Sequence, residues 1–463
     1  MSINSNLEKV SALFKQYDVR GDATFLTPAV AYLVARELAA TILGSEGSVA
    51  LIHDTRLSSP ALYKAAYQGL LDGGVTPIPL GLGSTDMLYA ACMRWECAGI
   101  MLTASHNPAK DNGMKIVREI PKMVGLGSGL EIIRDKVLAK LPDFAEPNTW
   151  PEVPTDATAQ KELDGYFQKI CRQIVPSLPK LKIVADAGNG MGGEAMRRII
   201  TPLYPEVEWV DLFWDLDGRF PNHGPDPSKY ENLEALQKTV REQKADFGVA
   251  YDGDADRAFF VDEQGEIVHA DFVSALIAQS LLTKQEAKQP LITPESSSRV
   301  FEEVAKEHGS EVIRTPQGHT FVKAAMLEHS GLFGGEYSGH FYFRQFHNMD
   351  SGVLAAVILA SLLDGQTPLS QRVAQYRQKY FITPSINLLL KPGQNFADIK
   401  AKLQEIYAEA AQSELDGLTI TCPEWKFNLR SSNTEPKLRL VVECIGEDNL
   451  EARLQEVRNH IGL

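Results

Sequence analysis

Three stretches of the chain repeat one pattern: a short, nearly unbroken apolar run, a polar turn, a segment with apolar residues every three or four positions, and a second apolar run. They span residues 48–82, 181–213 and 289–316. Unbroken apolar runs of strand length fit parallel strands buried on both faces, and the 3.6-residue period between them fits covering helices. In the first stretch Ser59 is placed to cap a helix with Pro60 in its first turn, and Gly73 or Gly74 to end it. After about residue 380 the texture changes. TPSINLLLK, LTITCPEWKFNL and KLRLVVECI read as strands, and DNLEARLQEVRNHIGL as a closing amphipathic helix. The expected architecture is three tandem α/β domains of related topology with mixed sheets, followed by a smaller α+β unit. Polar, proline-containing stretches near 142–158 and 379–385 are the candidate linkers.

Length agrees with this division, since 463 residues exceed what one hydrophobic core serves. Composition is that of a globular protein, 44% hydrophobic and 23% charged. With 46 Lys and Arg against 60 Asp and Glu, the net charge is −14, which argues against nucleic acid or anionic membrane as partners. An anionic substrate would need a local basic pocket. The first residues lack the apolar core of a signal peptide, and no run approaches 18 apolar residues. Cys92, Cys97, Cys171, Cys422 and Cys444 have no CxxC spacing, so the expectation is reduced thiols in a cytoplasm, without disulfides or zinc.

Five segments carry candidate chemistry. In MLTASHNPAKDNGMK (101–115) an apolar strand end leads into Ser105, with Asn107-Pro108 and Asn112-Gly113 predicting an exposed turn. That presents Ser105 at a strand's C-terminal tip, where α/β proteins place their sites, with His106 and Lys115 as proton handlers or phosphate ligands. GxSxG is absent, so this is not a hydrolase elbow. In FGVAYDGDADRAFFVDEQGEI (247–267), Asp252, Asp254 and Asp256 alternate with small residues between apolar runs. Residues i, i+2 and i+4 of an extended chain face one side, so the three carboxylates converge. Two carboxylates about 4 Å apart repel by roughly 4 kcal/mol at an effective dielectric near 20. Three call for a cation, and an all-oxygen site suits Mg²⁺. The segment is no EF-hand, although Glu263 falls at the final ligand's position: Arg257 replaces the turn glycine, and the flanks are strands. Arg257 is instead placed to hold a phosphate.

The remaining three are less specific. GGEYSGHFYF (334–343) offers Glu336, Ser338 and His340 on a pliable loop suited to sugar hydroxyls, and QGHT (317–320) offers His319. FNLRSSNTEPKLRL (427–440) sets Arg430 and the hydroxyls of Ser431, Ser432 and Thr434 between strands, a candidate anion nest. GNGMGG (188–193) matches GxGxxG formally, but its polar entry and the missing second half of a dinucleotide fold favour a structural glycine turn. No P-loop motif occurs.

Taken in order, YDVRG (17–21), TASHNP (103–108), DGDADR (252–257), GEYSGH (335–340) and RSSNTEP (430–436) resemble the α-D-phosphohexomutase superfamily over nearly the whole chain. DGRFPNHGPDPSKYENL (217–233) and GEYSGHFYFRQF add similarity to its bacterial phosphomannomutase/phosphoglucomutase branch. The resemblance implies four domains around a central cleft, the last TATA-box-protein-like, at 1–155, 156–264, 265–380 and 381–463. It implies interconversion of hexose 1-phosphate and hexose 6-phosphate, of mannose and glucose, through a phosphoserine and a hexose 1,6-bisphosphate. An amino sugar as substrate is the alternative, and a phosphosugar phosphatase or a non-catalytic sugar-phosphate-binding protein are the rivals. By the family pattern Ser105 carries the phosphoryl group, and Mg²⁺ sits between it and Asp252, Asp254 and Asp256. Arg257 contacts the transferring group, Lys115 and His340 act as acid, base or orienting groups, and Tyr17, Arg20, His319, Glu336 and Ser338 line the sugar site. Arg430, Ser432, Asn433 and Thr434 grip the far phosphate. A cytoplasmic monomer, or a dimer, is expected. Two positions depart from relatives: Glu295 in TPESSSR replaces a lysine that contacts substrate, and Tyr337 replaces a common methionine.

Overall fold

The computed structural model describes residues 3–44, 47–284, 288–431, 437–446 and 449–462. By their internal contacts these fall into two compact units: Met1–Val268 with Ser338–Leu369, and His269–Tyr337 with Ser370–Leu463.

The first unit contains two mixed sheets. In one, Ser48–His53 pairs in parallel with Thr76–Leu82 and Ala98–Leu102, and Asp111–Glu119 returns antiparallel to Ala98–Leu102, with Val19–Asp22 at its far side. Ala98–Leu102 is buried at every position, as a parallel-sheet strand covered on both faces must be. Leu51, Ile100 and Ile116 from the strands share a core with Val30, Val34 and Leu70 from the helices Pro28–Leu38 and Ser59–Asp72. Each fully buried side chain of this kind contributes about 1.5–3 kcal/mol. The predicted cap of the second helix is off by one. Ser58 occupies the cap position but its side chain caps no helix N–H, while Ser59 is the first helical residue and its hydroxyl donates to Asp54 Oδ1 at 2.6 Å. A buried carboxylate needs that donor more than the solvated start of a helix does. Gly73 closes the helix as expected.

The second sheet runs Ile267–Val268, Ala258–Asp262, Phe247–Tyr251, Lys182–Asp186 and Glu208–Leu212; the last three strands pair in parallel, while Ala258–Asp262 is antiparallel both to Phe247–Tyr251, with which it forms a hairpin, and to Ile267–Val268. GNGMGG is the structural turn anticipated: a Cβ on Gly190 would lie 2.8 Å from the carbonyl oxygen of Gly253, so the glycine permits close approach to the hairpin loop. The helix Gly352–Leu362, all of whose residues up to Ala360 are buried, packs on both hairpin strands. Its sequence, GVLAAVILASL, is apolar all round, the signature of a helix covered on every side.

In the second unit Leu291–Pro294 pairs in parallel with Val312–Thr315 and Phe333–Gly335. A fully antiparallel sheet follows, ordered Tyr380–Ile382, Lys437–Ile445, Trp425–Ser431, Leu418–Thr421, Ala411–Ser413, with Ile386–Leu389 also on Lys437–Ile445. Leu403 and Val457, from the helices Phe396–Ile406 and Leu450–Ile461, pack on Phe427 and Leu440. The stretch 379–385 is therefore not a plain linker. Tyr380–Ile382 is a half-buried strand, with Tyr380 inside and Phe381 outside. The two parts of the unit are joined by Arg299, whose Nε meets Glu443 Oε1 at 2.9 Å.

Lys426 lies buried in the same unit, its ammonium bonded to the carbonyl of Ser297. Burial, then Arg314, push it down to about 8 from the ordinary 10.5, against Glu443, Glu302 and Asp271. Below pH 8 the folded chain carries the full cost of the buried charge, a few kcal/mol at about 1.4 kcal/mol per unit. Between pH 8 and 10.5 the folded state has released the proton while the unfolded chain still holds it, so stability rises with pH there. Lys426→Met is expected to gain most on the parent protein below pH 8, and that advantage should shrink by a few kcal/mol towards pH 10.5. Urea unfolding across this range checks it; a pH-independent difference would contradict the assignment.

Candidate active site

Ser105 follows the strand Ala98–Leu102 and is 2% exposed, with its backbone in the left-handed region at φ +50°. Its hydroxyl donates to Asp252 Oδ2 at 2.8 Å and lies 3.2 Å from His106 Nδ1. Asp252, Asp254 and Asp256 occupy the loop of the second-sheet hairpin, where Tyr251 and Ala258 are the last paired residues. The loop approaches the serine so closely that a Cβ on Gly253 would lie 2.4 Å from the Ser105 carbonyl oxygen. The predicted exposed turn after Ser105 is shorter than expected. Asn112 and Gly113 are buried in the strand Asp111–Glu119, because the Asn112 amide donates to the Ser58 and Ser59 hydroxyls and a Cβ on Gly113 would strike the Thr103 carbonyl at 2.5 Å.

Lys115, on that strand, sends its ammonium to Asp254 Oδ2 at 2.9 Å and Asp256 Oδ2 at 2.6 Å. Thr85 Oγ1 accepts from Lys115 at 3.0 Å and donates to Asp254 at 2.7 Å. Although burial works against the Lys115 ammonium, Asp254 and Asp256 hold its proton above the ordinary lysine range. For Asp254 burial acts against the charge too, but Lys115 and Thr85 hold the carboxyl below its usual range. Burial, then Asp254 and Asp256, push Asp252 well above it. His106 is driven well down by burial, then by Arg257 and Arg20, so it is a neutral neighbour of the serine.

Arg257 Nε lies 3.9 Å from Asp252 Oδ2 and donates to His340 Nε2 at 2.9 Å. His340 Nδ1 meets Asp350 Oδ2 at 2.7 Å. With a carboxylate on one side and a donor on the other, the network assigns the proton to Nδ1 and leaves Nε2 the acceptor. Arg20, paired with Asp18, sits on Val19–Asp22 opposite Gly113, and Tyr17 is half-buried just before it.

The carboxylates fit a divalent cation. Oxygens of Asp252, Asp254 and Asp256 lie within 4.8 Å of one another, and Oδ1 of Asp254 and of Asp256 are buried without a hydrogen-bond partner among the described residues. Lys115 and, at 3.9 Å, Arg257 pair with these carboxylates, and Arg20 acts on Asp254 from farther off. Hard oxygen donors in this number suit Mg²⁺. A second group, Asp256, His340 and Asp350, shares one carboxylate with the triad.

In the second unit, Glu336 is buried and accepts from Gln317 Nε2, Gln317 N donates to Asp416 Oδ2 at 3.1 Å, and Arg430 Nε lies 3.7 Å from that oxygen. Burial opposes the Arg430 charge, but Tyr337 and Asp416 hold its proton above the ordinary arginine value. Tyr337 thus stands beside Arg430. His319 opens the helix His319–Glu328, half-buried. Glu295 is half-buried, and the Lys426 ammonium lies 3.4 Å from its carbonyl oxygen. Ser338 belongs with the first unit, and Ser432, Asn433 and Thr434 lie outside the described residues. Reading the sequence missed Thr85, Asp350, Asp416 and Arg56; their signal was only a polar residue beside a strand end.

A buried serine, a lysine and a metal-fitting triad of carboxylates on tandem α/β sheets define a phosphoryl-transfer enzyme. The chain matches the phosphoglucomutase/phosphomannomutase alpha/beta/alpha domains I, II and III over residues 11–125, 164–265 and 269–380, and the C-terminal domain of that family over 386–460. It is 37% identical to the phosphohexose mutases of Xanthomonas campestris pv. campestris strain B100, covering 96% of this chain and 98% of that one. It is 34% identical to a phosphomannomutase of Salmonella montevideo (96% and 97% covered) and 33% identical to a phosphoglucomutase of Neisseria meningitidis (96% and 95%). The crystal structure of a phosphoglucomutase/phosphomannomutase family protein from Burkholderia thailandensis superposes with a TM-score of 0.81 at 27% identity, covering 97% of both chains. The chain belongs to the phosphoglucomutase/phosphomannomutase family and is a phosphohexomutase. Among the described residues no helix is long and apolar enough to cross a membrane.

Proposed function

We propose that the chain interconverts the 1- and 6-phosphates of mannose and glucose, with Ser105 as phosphoryl carrier and a hexose 1,6-bisphosphate as intermediate. The observation that carries this reading is the Ser105 hydroxyl at 2.8 Å from Asp252, inside a carboxylate triad already bonded to Lys115. Asp252, Asp254, Asp256 and the phosphorylated Ser105 would hold Mg²⁺, which supplies positive charge to the transferring group. Phosphoryl transfer has a loose transition state, so the protein's part is positioning and neutralisation. Arg257 donates to the equatorial oxygens. When Arg257 turns to the phosphoryl group its Nε releases His340 Nε2, which it bonds in this structure, and the attacking sugar hydroxyl gives its proton to that nitrogen as the new O–P bond forms. The bond from phosphorus to Ser105 Oγ breaks, and the leaving oxygen regains a proton through Lys115. Asp350 keeps His340 in the tautomer that can accept. Return of the other phosphate to Ser105 reverses these roles after the intermediate turns over.

Tyr17, Arg20, His319, Glu336 and Ser338 are assigned to the sugar, and Arg430, Ser432, Asn433 and Thr434 to the phosphate that does not react. We place the domain boundaries after residues 155, 264 and 380, and the protein in the cytoplasm as a monomer. Initial rates on mannose, glucose and glucosamine 1-phosphates, with glucose 1,6-bisphosphate present, test the function. Preference for the amino sugar would make the chain a phosphoglucosamine mutase, and no turnover of any of the three would favour a binding protein.

Arg430→Ala is expected to raise KM about 10- to 150-fold, the value of a charge-assisted contact of about 1.5–3 kcal/mol. Free bisphosphate should also leak during turnover, while phosphorylation of Ser105 by concentrated bisphosphate persists. Steady-state kinetics with chromatography of the sugar phosphates reads both. Wild-type KM without leakage would place the phosphate grip elsewhere.

A further inference from the structure

Arg56 is 1% exposed, and its guanidinium closes on the turn that carries Ser105. Nη2 donates to the carbonyl oxygens of Ser105 and Asn107, both at 2.7 Å, and Nη1 to those of Pro108 at 2.7 Å and Asp111 at 2.9 Å. Nε donates to Asp54 Oδ2 at 3.1 Å. A guanidinium has five N–H donors in a fixed fork, and all five are used. Asp54 is itself fixed by the Ser59 hydroxyl and by the Arg56 backbone N–H at 3.0 Å. The Phe220 ring covers the guanidinium, 5.2 Å from centroid to carbon, and a Cβ on Gly218 would lie 2.6 Å from the Arg56 Cα.

The grip coincides with the strain. Ser105 has φ +50°, a conformation costing a non-glycine residue about 1–2 kcal/mol. Such a residue persists only where the surroundings over-determine it, and the Ser105 carbonyl is one of the four oxygens Arg56 holds. A substrate phosphate has no claim on this arginine, since every donor is committed to an internal acceptor. A lysine would keep the charge but offers three donors around a point, not a planar fork spanning four carbonyls.

We propose that Arg56 is a positioning residue of the transfer centre: by binding four carbonyls of the turn 105–111 it holds Ser105 in the left-handed conformation that aims Oγ at Asp252. The proposal rests on Ser105 being the carrier. It predicts loss of transition-state stabilisation without loss of substrate affinity, because a misplacement of about 1 Å costs on the order of 10²-fold in rate.

The test compares the unmutated protein with Arg56→Lys and with the double variant Arg56→Met/Asp54→Asn, which leaves no unpaired buried carboxylate. Each is assayed at a temperature where circular dichroism shows it folded. Expected are a kcat lower by about 10²-fold with KM for mannose 1-phosphate within about 3-fold, and an equally slowed single-turnover labelling of Ser105 by glucose 1,6-bisphosphate. A kcat within about 3-fold of the parent in either folded variant, or a change confined to KM, overturns the proposal. If neither variant folds, hydrogen exchange on the unmutated protein decides: the amides of 105–111 should exchange as slowly as those of Ala98–Leu102, and exchange at the rate of an open loop overturns it. Failure of bisphosphate to label Ser105 in the unmutated protein would instead defeat the carrier assignment and leave the exchange result standing.

Discussion

Ser105→Ala is expected to lower kcat by on the order of 10³-fold or more, since a nucleophile that acts as a unit with its neighbours has no substitute. The hydroxyl lies 2.8 Å from Asp252 and 3.2 Å from His106, and no other serine or threonine oxygen is placed at both in the described residues. In the unmutated protein, glucose 1,6-bisphosphate should add one phosphoryl group to the peptide that contains Ser105, and mass spectrometry reads it directly. The alanine variant should still bind sugar phosphate, because the groups assigned to the sugar and the far phosphate are intact. Full activity of Ser105→Ala, or fully active protein never bearing phosphate at this position, would remove the serine from the mechanism.

Removing divalent cations should stop turnover as completely, by on the order of 10³-fold or more, with Mg²⁺ restoring it. The charge balance is the reason. Three buried carboxylates face Lys115 and, at 3.9 Å, Arg257, and a phosphorylated Ser105 would add about two further negative charges. Asp254→Asn should weaken Mg²⁺ binding measured by calorimetry and suppress labelling of Ser105, the opposite of the Arg430→Ala pattern. Unchanged rates in excess chelator, with no Mg²⁺ binding by calorimetry, would leave the triad without its cation.

The triad was legible because its spacing and flanks carry their own physics. Asp252, Asp254 and Asp256 alternate between two apolar runs, and a hairpin is what joins such runs. Ser105 was legible for a similar reason, at the end of an apolar strand. Asn112-Gly113 misled because that dipeptide ordinarily marks a turn, whereas here the amide anchors two serines and the glycine lets two strands approach. Arg56, Thr85 and Asp350 were invisible for a deeper reason. Each acts on a partner at least ten positions away, Asp350 on His340 and Thr85 on Asp254, and local pattern holds no record of which distant atoms a fold will bring together. The strand Tyr380–Ile382 was hidden by the proline and lysine around it.

The return of residues 338–369 to the first unit has a consequence for how the protein is made. A nascent chain ending at residue 268 contains the serine, the lysine and the whole aspartate loop, but not His340 or the helix Gly352–Leu362 that covers the hairpin strands. Until residues 269–362 have left the ribosome, those strands lack the helix that covers their apolar surface. The candidate site is likewise completed late, so an abandoned translation product of that length has Ser105, Lys115 and the aspartate loop without His340 and Asp350.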